Sequence, residues 1–447
     1  MTGCSSKSIS PDSVTGTIFA LEGIRNVIVL LNGPMGCKFY HSTTSAHLTK
    51  HPPLRLSDGR PAEQGRVEYD VMNHYFFRQA RVPSTYLDGE DYIYGTAEKA
   101  EAALRYFGET FRFDLLAIVD SPGASLIGDE LRELAARVLP DKPVAVLESP
   151  GYSEHFSDGY DRAAVTLLRQ MKDFSLPRKP RSGRPRVNLL GVSVWHRYWE
   201  GDLEEMRRLL GLCGVEVNCC LCAGCTPEEL KRLPDADLNL LLYPEMGRDT
   251  AAFLEERFGT PSYTFETPPV GFAATEKAFT EICARLGADA GPLLEESERR
   301  RAACWFQLND LDQMHYLSSG STFAVEGMDS VALAYTAFLT EYLGLTPACV
   351  SLTGSPVPAL REKLRSLLRS CRAEEALERD ILESGAELVF ADANVIAAMA
   401  TRQDAFSGIE ISLPGMGYVD FVKKTHLGLA GAEFLTEQAV NGLMSRI

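Results

Sequence analysis

Short runs that are apolar at nearly every position alternate along this chain with longer runs whose apolar residues recur every three or four positions. NVIVLL (26–31), DLLAIVD (114–120) and KPVAVLE (142–148) are of the first kind and predict strands buried on both faces. AEKAEAALRYFGETF (97–111) and DELRELAARVL (129–139) are of the second kind and predict helices between or after them. Apolar strands alternating with helices indicate a parallel sheet covered on both sides.

The pattern breaks at SLPRKPRSGRPR (175–186), rich in Pro, Arg and Gly, which reads as an interdomain linker. It then restarts. VNLLGVSV (187–194), VEVNCCLC (215–222) and DLNLLLYP (237–244) predict strands; 202–214, 226–233 and 250–259 predict helices. The second of these helices opens with Thr226 and Glu229, a capping-box spacing. A long connecting helix is expected over 295–317. A third cycle follows, with strands at 321–327, 346–352, 387–393 and 408–413 and helices at 330–344 and 358–384. The expected organisation is an N-terminal α/β domain over 1–180, a second over 187–290, a connecting helix within 291–318 and a third α/β domain over 319–447. Ligands in such sheets sit at the carboxyl ends of the strands, so the loops after the strands hold the candidate chemistry.

Composition narrows the classes. At 447 residues the chain is too long for one ordinary core. Forty-five basic against 61 acidic residues leave a net charge of −16, which argues against nucleic acid or anionic membrane as the main partner. No apolar run is long enough to span a bilayer. The start, MTGCSSKSISPDS, shows no basic segment followed by an apolar one, so a cytoplasmic chain is expected and Cys4 is not expected to carry a lipid. Eleven cysteines in a reducing compartment point to thiols, metal sites or redox chemistry instead of disulfides.

Three places could carry that chemistry. In Asn32-Gly33-Pro34-Met35-Gly36-Cys37, glycines on each side of the proline let the backbone turn tightly and approach a ligand. Cys37 then falls at the start of a helical run, where free N–H groups favour thiolate; equally, the segment reads as a plain turn with a small buried residue. SPGASLIGDEL (121–131) follows a strand, with Asp129 placed to cap a helix or contact a ligand. In NCCLCAGC, Cys222 and Cys225 form a C-x-x-C at a strand-to-helix turn, suited to metal or dithiol chemistry or to core packing. Cys213, Cys219 and Cys220, like Cys283, Cys304, Cys349 and Cys371, read as core residues. His41, His74, His155, His196 and His426 are candidates for site or cleft positions. No G-x-x-x-x-G-K-S/T occurs, so no bound nucleotide is expected and any ATP chemistry belongs to a partner.

Taken in order, Cys4, NGPMGCKFYHS, Gly89-Glu90-Asp91-Tyr92-Ile93-Tyr94-Gly95, Leu126-Ile127-Gly128-Asp129 and SPGYSEHFSDGYDRAA (149–164) resemble component 1 of the nitrogenase superfamily. So do the stretch from LYPEMGRD to PPVGFAATEKAF and the C-terminal HLGLAGAEFLTEQAVNGLM. That superfamily includes the nitrogenase α and β subunits, cofactor-assembly scaffolds and dark-operative protochlorophyllide reductase subunits. The resemblance implies three Rossmann-like α/β domains around a central cleft. It also implies an iron–sulfur cluster at a subunit interface, with Cys37 and Cys4 as ligands and Gly33, Gly36 and Ser121 around it.

The family's third cysteine corresponds here to Pro122, beside Ser121, so two thiolates remain per chain. A cluster held by four ligands would then be completed by a second chain as a bridging 4Fe–4S cluster. Positions that hold the iron–molybdenum cofactor in nitrogenase lack cysteine at Leu242-Tyr243-Pro244 and histidine at Gly415-Met416-Gly417. The resemblance therefore implies a nitrogenase-like member other than nitrogenase proper. It would take electrons from an ATP-dependent iron–sulfur reductase and reduce a substrate in the cleft, with Cys222 and Cys225 as candidate ligands there. A cofactor-assembly scaffold of the same superfamily is the alternative. The expected partners are a homologous component 1 subunit and that reductase.

Overall fold

The computed structural model describes residues 11–38, 55–59, 82–148, 154–175, 183–313, 320–402, 405–413 and 420–445. Cys4, His41 and His74 lie outside them. In the first part, strands β1 (Val27–Asn32), β2 (Leu115–Asp120) and β3 (Val144–Glu148) form a parallel sheet in that order. Helices α1 (Ser13–Glu22), α2 (Ala97–Thr110), α3 (Leu131–Val138) and α4 (Phe156–Gln170) cover it. The two faces explain why β1 and β2 are apolar throughout. Val27, Val29, Leu31, Ala117 and Val119 point into the core shared with α1 and α4. Ile28, Leu30, Leu116 and Ile118 point at Leu104, Phe107, Leu131 and Leu134 of α2 and α3. The α1–α4 crossing is backbone on backbone: a Cβ on Gly16 would lie 2.0 Å from Phe156 O, and one on Gly159 2.0 Å from Ser13 O.

The second sheet comprises β4 (Arg186–Leu190), β5 (Glu216–Cys220), β6 (Leu238–Leu241) and β7 (Ser262–Thr264), in the order β5-β4-β6-β7. The third comprises β8 (Thr322–Gly327), β9 (Thr346–Leu352), β10 (Leu388–Ala391) and β11 (Ser407–Glu410), in the order β9-β8-β10-β11. Both are parallel throughout and share one winding, which makes the chain a mixed α/β protein of similar units. Helices α5 (Trp199–Leu212), α6 (Arg248–Phe258) and α7 (Phe272–Leu286) accompany the second sheet, and α8 (Gly291–Gln313) follows them. Helices α9 (Asp329–Ala337), α10 (Pro358–Ser370), α11 (Ala393–Ala400) and α12 (Gly428–Met444) accompany the third. Among the described residues, no helix is long and apolar enough to cross a membrane.

Some expected boundaries move. The strand expected over 187–194 stops at Leu190, because Gly191 takes a left-handed conformation (φ +79°). The helix expected over 358–384 ends at Ser370. Arg372 is left-handed (φ +55°), and two short 3-10 turns follow at Glu374–Leu377 and Ile381–Glu383. Asp129 does not cap α3, which begins at Leu131; its carboxylate instead accepts from Thr96.

The second and third sheets meet through a buried joint. After β4, Trp195 O accepts from Leu413 N (3.1 Å) and Arg197 N donates to Ile411 O (3.4 Å). The Arg197 guanidinium, 1 % exposed, pairs with Glu410 (3.1 Å) and Asp420 (2.7 Å). Asp202 of α5 closes the same side, accepting from Thr425 Oγ1 (2.7 Å) and His426 N (3.0 Å). Removing one member of a buried ion pair strands the opposite charges, at a cost of about 3–5 kcal/mol. Arg197→Met is therefore expected to lower unfolding stability by about that much, with most of the loss recovered when Glu410→Gln and Asp420→Asn are added. Urea denaturation of the unsubstituted protein, the single variant and the triple variant checks this.

Candidate functional site

At the end of β1 the chain turns through Gly33 and Pro34 into a 3-10 turn, Met35–Lys38, that carries Cys37. Asn32 is buried and bonded on every side. Its Nδ2 donates to Asp120 Oδ1 (2.7 Å) and Thr96 Oγ1 (3.0 Å), and its Oδ1 accepts from Thr85 Oγ1 (3.0 Å). Gly33 N donates to Thr85 Oγ1 (3.0 Å), and Gly33 O accepts from Ser84 Oγ (2.6 Å). A Cβ at Gly33 would lie 2.7 Å from Ser121 Cβ and 2.8 Å from its Oγ, so only glycine lets the two loops touch. At Gly36 a Cβ would meet nothing within 4 Å among the described residues, which leave the backbone beside Cys37 open.

Ser121 is fully buried and caps the short helix Pro122–Ser125 through its Oγ, which accepts from Ala124 N (3.4 Å). Tyr92, within the helix Asp91–Tyr94, hydrogen-bonds Ser121 through its hydroxyl. Burial pushes the Tyr92 phenol pKa up; the Ser121 bond opposes this, and the nearby acidic groups Cys37, Asp91 and Asp120 add to it. Cys37, Ser121 and Tyr92 therefore stand together.

The two motifs from which they come are also tied. Asp129 Oδ2 accepts from Thr96 N (2.5 Å) and Thr96 Oγ1 (2.8 Å), so Leu126-Ile127-Gly128-Asp129 holds the end of the segment that carries Tyr92. Next to Tyr92 in the chain, Ile93 and Tyr94 are 74 % and 85 % exposed, and Leu126 is 89 % exposed. Exposed large apolar groups grouped around a loop mark an interaction face.

Cys222 and Cys225 occupy a different setting. Cys222 is left-handed (φ +56°) and its carbonyl accepts from Tyr160 Oη (3.4 Å). Arg25 N donates to Cys225 O (2.7 Å) and Gly224 N to Gly23 O (2.6 Å), which joins the end of α1 to the second sheet. Cys219, Cys220, Cys222 and Cys225 are all buried. A hydrogen bond with Cys225 and burial push the Cys219 thiol up, and burial pushes the Cys222 thiol up. Raised thiol pKa values disfavour thiolate, the metal-binding form. Cys213 and Cys283 form a second buried thiol contact, between the end of α5 and α7. Among the described residues, no group of three or more His, Cys, Asp or Glu is arranged to hold a metal ion.

The carboxyl ends of β8, β9 and β11, the loop after β4 and the first turns of α4 and α11 enclose a cavity of about 330 Å³. His155, Ser157 and His196 line it; Cys222 and Cys225 are not among the lining residues. His426 lies elsewhere, its ring nitrogens bonded to Tyr335 Oη (2.6 Å) and Gln438 Oε1 (2.7 Å). Sequence reasoning passed over Tyr92 and Ser157, although both lie inside the motifs named above; their roles depend on contacts between distant segments.

A family model described as nitrogenase component 1 type oxidoreductase matches residues 13–444. The B subunit of light-independent protochlorophyllide reductase from Synechococcus sp. (strain WH7803) is 31 % identical over 369 residues, covering 79 % of this chain and 67 % of that protein. The protein of the same name from Halorhodospira halophila (strain DSM 244 / SL1) is 29 % identical over 364 residues, 78 % of this chain and 66 % of its own length. The chain thus spans about two thirds of these relatives. A solved structure titled Nitrogenase Cp1 at pH 6.5 shares the fold, with a TM-score of 0.73 and 18 % identity over 98 % of this chain and 92 % of that one.

Asp120 yields a pH test. Burial pushes its carboxyl up to about 6 from 3.8; the Asn32 bond opposes this, and Glu148 and Asp129 add to it. The folded chain thus holds this proton more tightly than the unfolded one. The stability it contributes is full below about pH 4 and is lost as pH rises through about 6. Asp120→Asn, which keeps an acceptor for Asn32, is expected to remove that slope and to gain up to about 3 kcal/mol over the unsubstituted protein at pH 8. Urea unfolding of iron-free protein between pH 4 and 8 measures it.

Proposed function

The chain belongs to the family of nitrogenase component 1 type oxidoreductases, and from that premise we propose that Cys37 ligates an iron–sulfur cluster completed across a contact between two component 1 chains. The chain is a nitrogenase-like reductase subunit, in a family that carries iron–sulfur clusters and works with a partner reductase and further subunits. One observation carries the cluster reading: Cys37 stands with Ser121 and Tyr92 beside open backbone, next to the exposed Ile93, Tyr94 and Leu126.

The donor set fits a shared site. Iron–sulfur clusters take four ligands, mostly thiolates, and no described group in this chain forms a cage alone. Cys37 supplies one thiolate and Cys4 a second; the same pair from a second component 1 chain would complete a 4Fe–4S cluster. When bound, such a cluster stores and passes single electrons. The chain's own residues hold the place for it. The Asn32 network fixes the Gly33 turn, Ser121 packs against Gly33, Tyr92 covers Ser121, and Asp129 secures the segment that bears Tyr92. Electrons would enter from an ATP-dependent iron–sulfur partner, since this chain contains no phosphate-binding loop motif. Substrate would be taken in the cavity among the strand ends, and the reaction belongs in the cytoplasm.

Protein purified without oxygen is expected to be brown, to contain iron and sulfide, and to give an electron paramagnetic resonance signal on reduction. Cys37→Ala is expected to lose both iron and signal while keeping its circular dichroism. Tyr94→Glu with Leu126→Glu is expected to separate the chains and lose iron with every cysteine intact. Iron-free unsubstituted protein, or a Cys37→Ala variant with full iron content, would overturn the reading.

A further inference from the structure

The cavity among the strand ends contains two buried hydrogen-bonding groups that find no partner among the described residues. His196 is 6 % exposed, and its ring stacks on Tyr243 with centroids 3.9 Å apart. Its Nδ1 accepts from Ser193 N (3.1 Å), so Nδ1 carries no proton. Burial pushes the ring's pKa down to about 3, which leaves it neutral with its one proton on Nε2. That Nε2–H has no partner among the described residues, and neither has the hydroxyl of Ser157, which is 1 % exposed. Buried donors left unpaired cost on the order of 1–3 kcal/mol each, and folded proteins rarely retain them without a reason.

The rest of the wall limits what could pair with them. Among the described residues the lining contains no Lys or Arg, but it includes the carboxylates of Glu326 and Asp392. Both are in use: Glu326 Oε2 accepts from Ser351 Oγ (2.8 Å), and Asp392 caps α11 by accepting from Val395 N (2.9 Å). Two carboxylates without a compensating cation disfavour an anion. A cation cannot accept from an N–H. A metal ion would need the lone pair that the Nε2 proton occupies, so His196 in this tautomer is not a metal ligand. What remains is an uncharged acceptor. At about 330 Å³ the cavity is at the small end of ligand pockets, and Phe156, Trp195 and Met328 give it apolar walls.

We propose that this cavity binds a compact, uncharged organic ligand of the lactam or amide class, whose carbonyl oxygen accepts from His196 Nε2–H and Ser157 Oγ–H. The inference rests on the reading of the cavity as the substrate site and is independent of the cluster at Cys37. The two donors fix the carbonyl, and the apolar walls cover the rest of the ligand.

The full chain, purified without oxygen, tests this with δ-valerolactam as the probe. Cyclopentanecarboxylate and piperidine, of similar size, serve as the anionic and cationic comparisons. Binding is read from quenching of Trp195, which lines the cavity, and from the Nε2–H resonance of His196 in protein carrying 15N-histidine. The expected result is saturable lactam binding that shifts this resonance and is at least tenfold weaker for both comparison compounds. Binding should also weaken at least tenfold in His196→Phe, which keeps the stacking on Tyr243, and in Ser157→Ala, with circular dichroism unchanged in each. No saturable binding, tighter binding of the carboxylate, or undiminished binding by folded His196→Phe would overturn the proposal. Iron measured on the same samples separates the two claims: lactam binding without iron leaves this site standing and removes the cluster, and iron without lactam binding does the reverse.

Discussion

The arrangement on which the rest depends is the buried joint between residues 195–197 and 411–413, with Arg197 enclosed by Glu410 and Asp420. Burying three charges is costly, and an ion pair of this kind is poor evidence of net stability. Its effect is positional. It brings the loop after β4 to the end of β11, which places Trp195 and His196 in the wall of a cavity otherwise built by the first and third parts of the chain. Asp202 reinforces the same register by anchoring Thr425 and His426 at the entry to α12. Two sheets of equal winding could pack in many ways, and the observed one satisfies both carboxylates and the guanidinium.

A second constraint governs the face at Cys37. Asn32 at the end of β1 bonds to Asp120 at the end of β2, to Thr85 and to Thr96. Four segments far apart in sequence therefore meet at one side chain, and Gly33 lets Ser121 come within contact of the turn. The result is a thiol on a rigid base beside an exposed apolar surface. The cavity and this face lie on different parts of the molecule and contain different chemistry. One offers a thiol beside exposed apolar residues, the other two neutral donors in a cavity. That division suits a reductase in which electron entry and substrate binding are separate tasks.

Much of this was legible in the sequence. Strands buried on two faces announce themselves as unbroken apolar runs, so β1 and β2 were clear, and the order of short motifs pointed to Cys37, Gly33 and Ser121. The misplaced boundaries share one cause. Gly191 and Arg372 end elements by adopting positive φ, and hydrophobic periodicity does not register a backbone turn. The contacts that give the site its form were not legible either. Tyr92 meets Ser121, and Thr96 meets Asp129, only once the first sheet has assembled. The state of His196 depends on a backbone N–H three residues earlier that fixes its tautomer. For Cys222 and Cys225 the sequence left metal, redox and packing readings open. Burial and backbone bonds to the end of α1 place them in a joint between the first and second sheets.

The central claim is that Cys37 contributes to a cluster shared between chains, and sedimentation under anaerobic conditions tests it most directly. Absorbance near 280 nm follows the protein and absorbance near 400 nm follows iron–sulfur chromophore in the same boundary. The account predicts that all of the 400 nm absorbance travels with species of at least two component 1 chains, and none with a single chain of 49.2 kDa. A coloured single chain would contradict it.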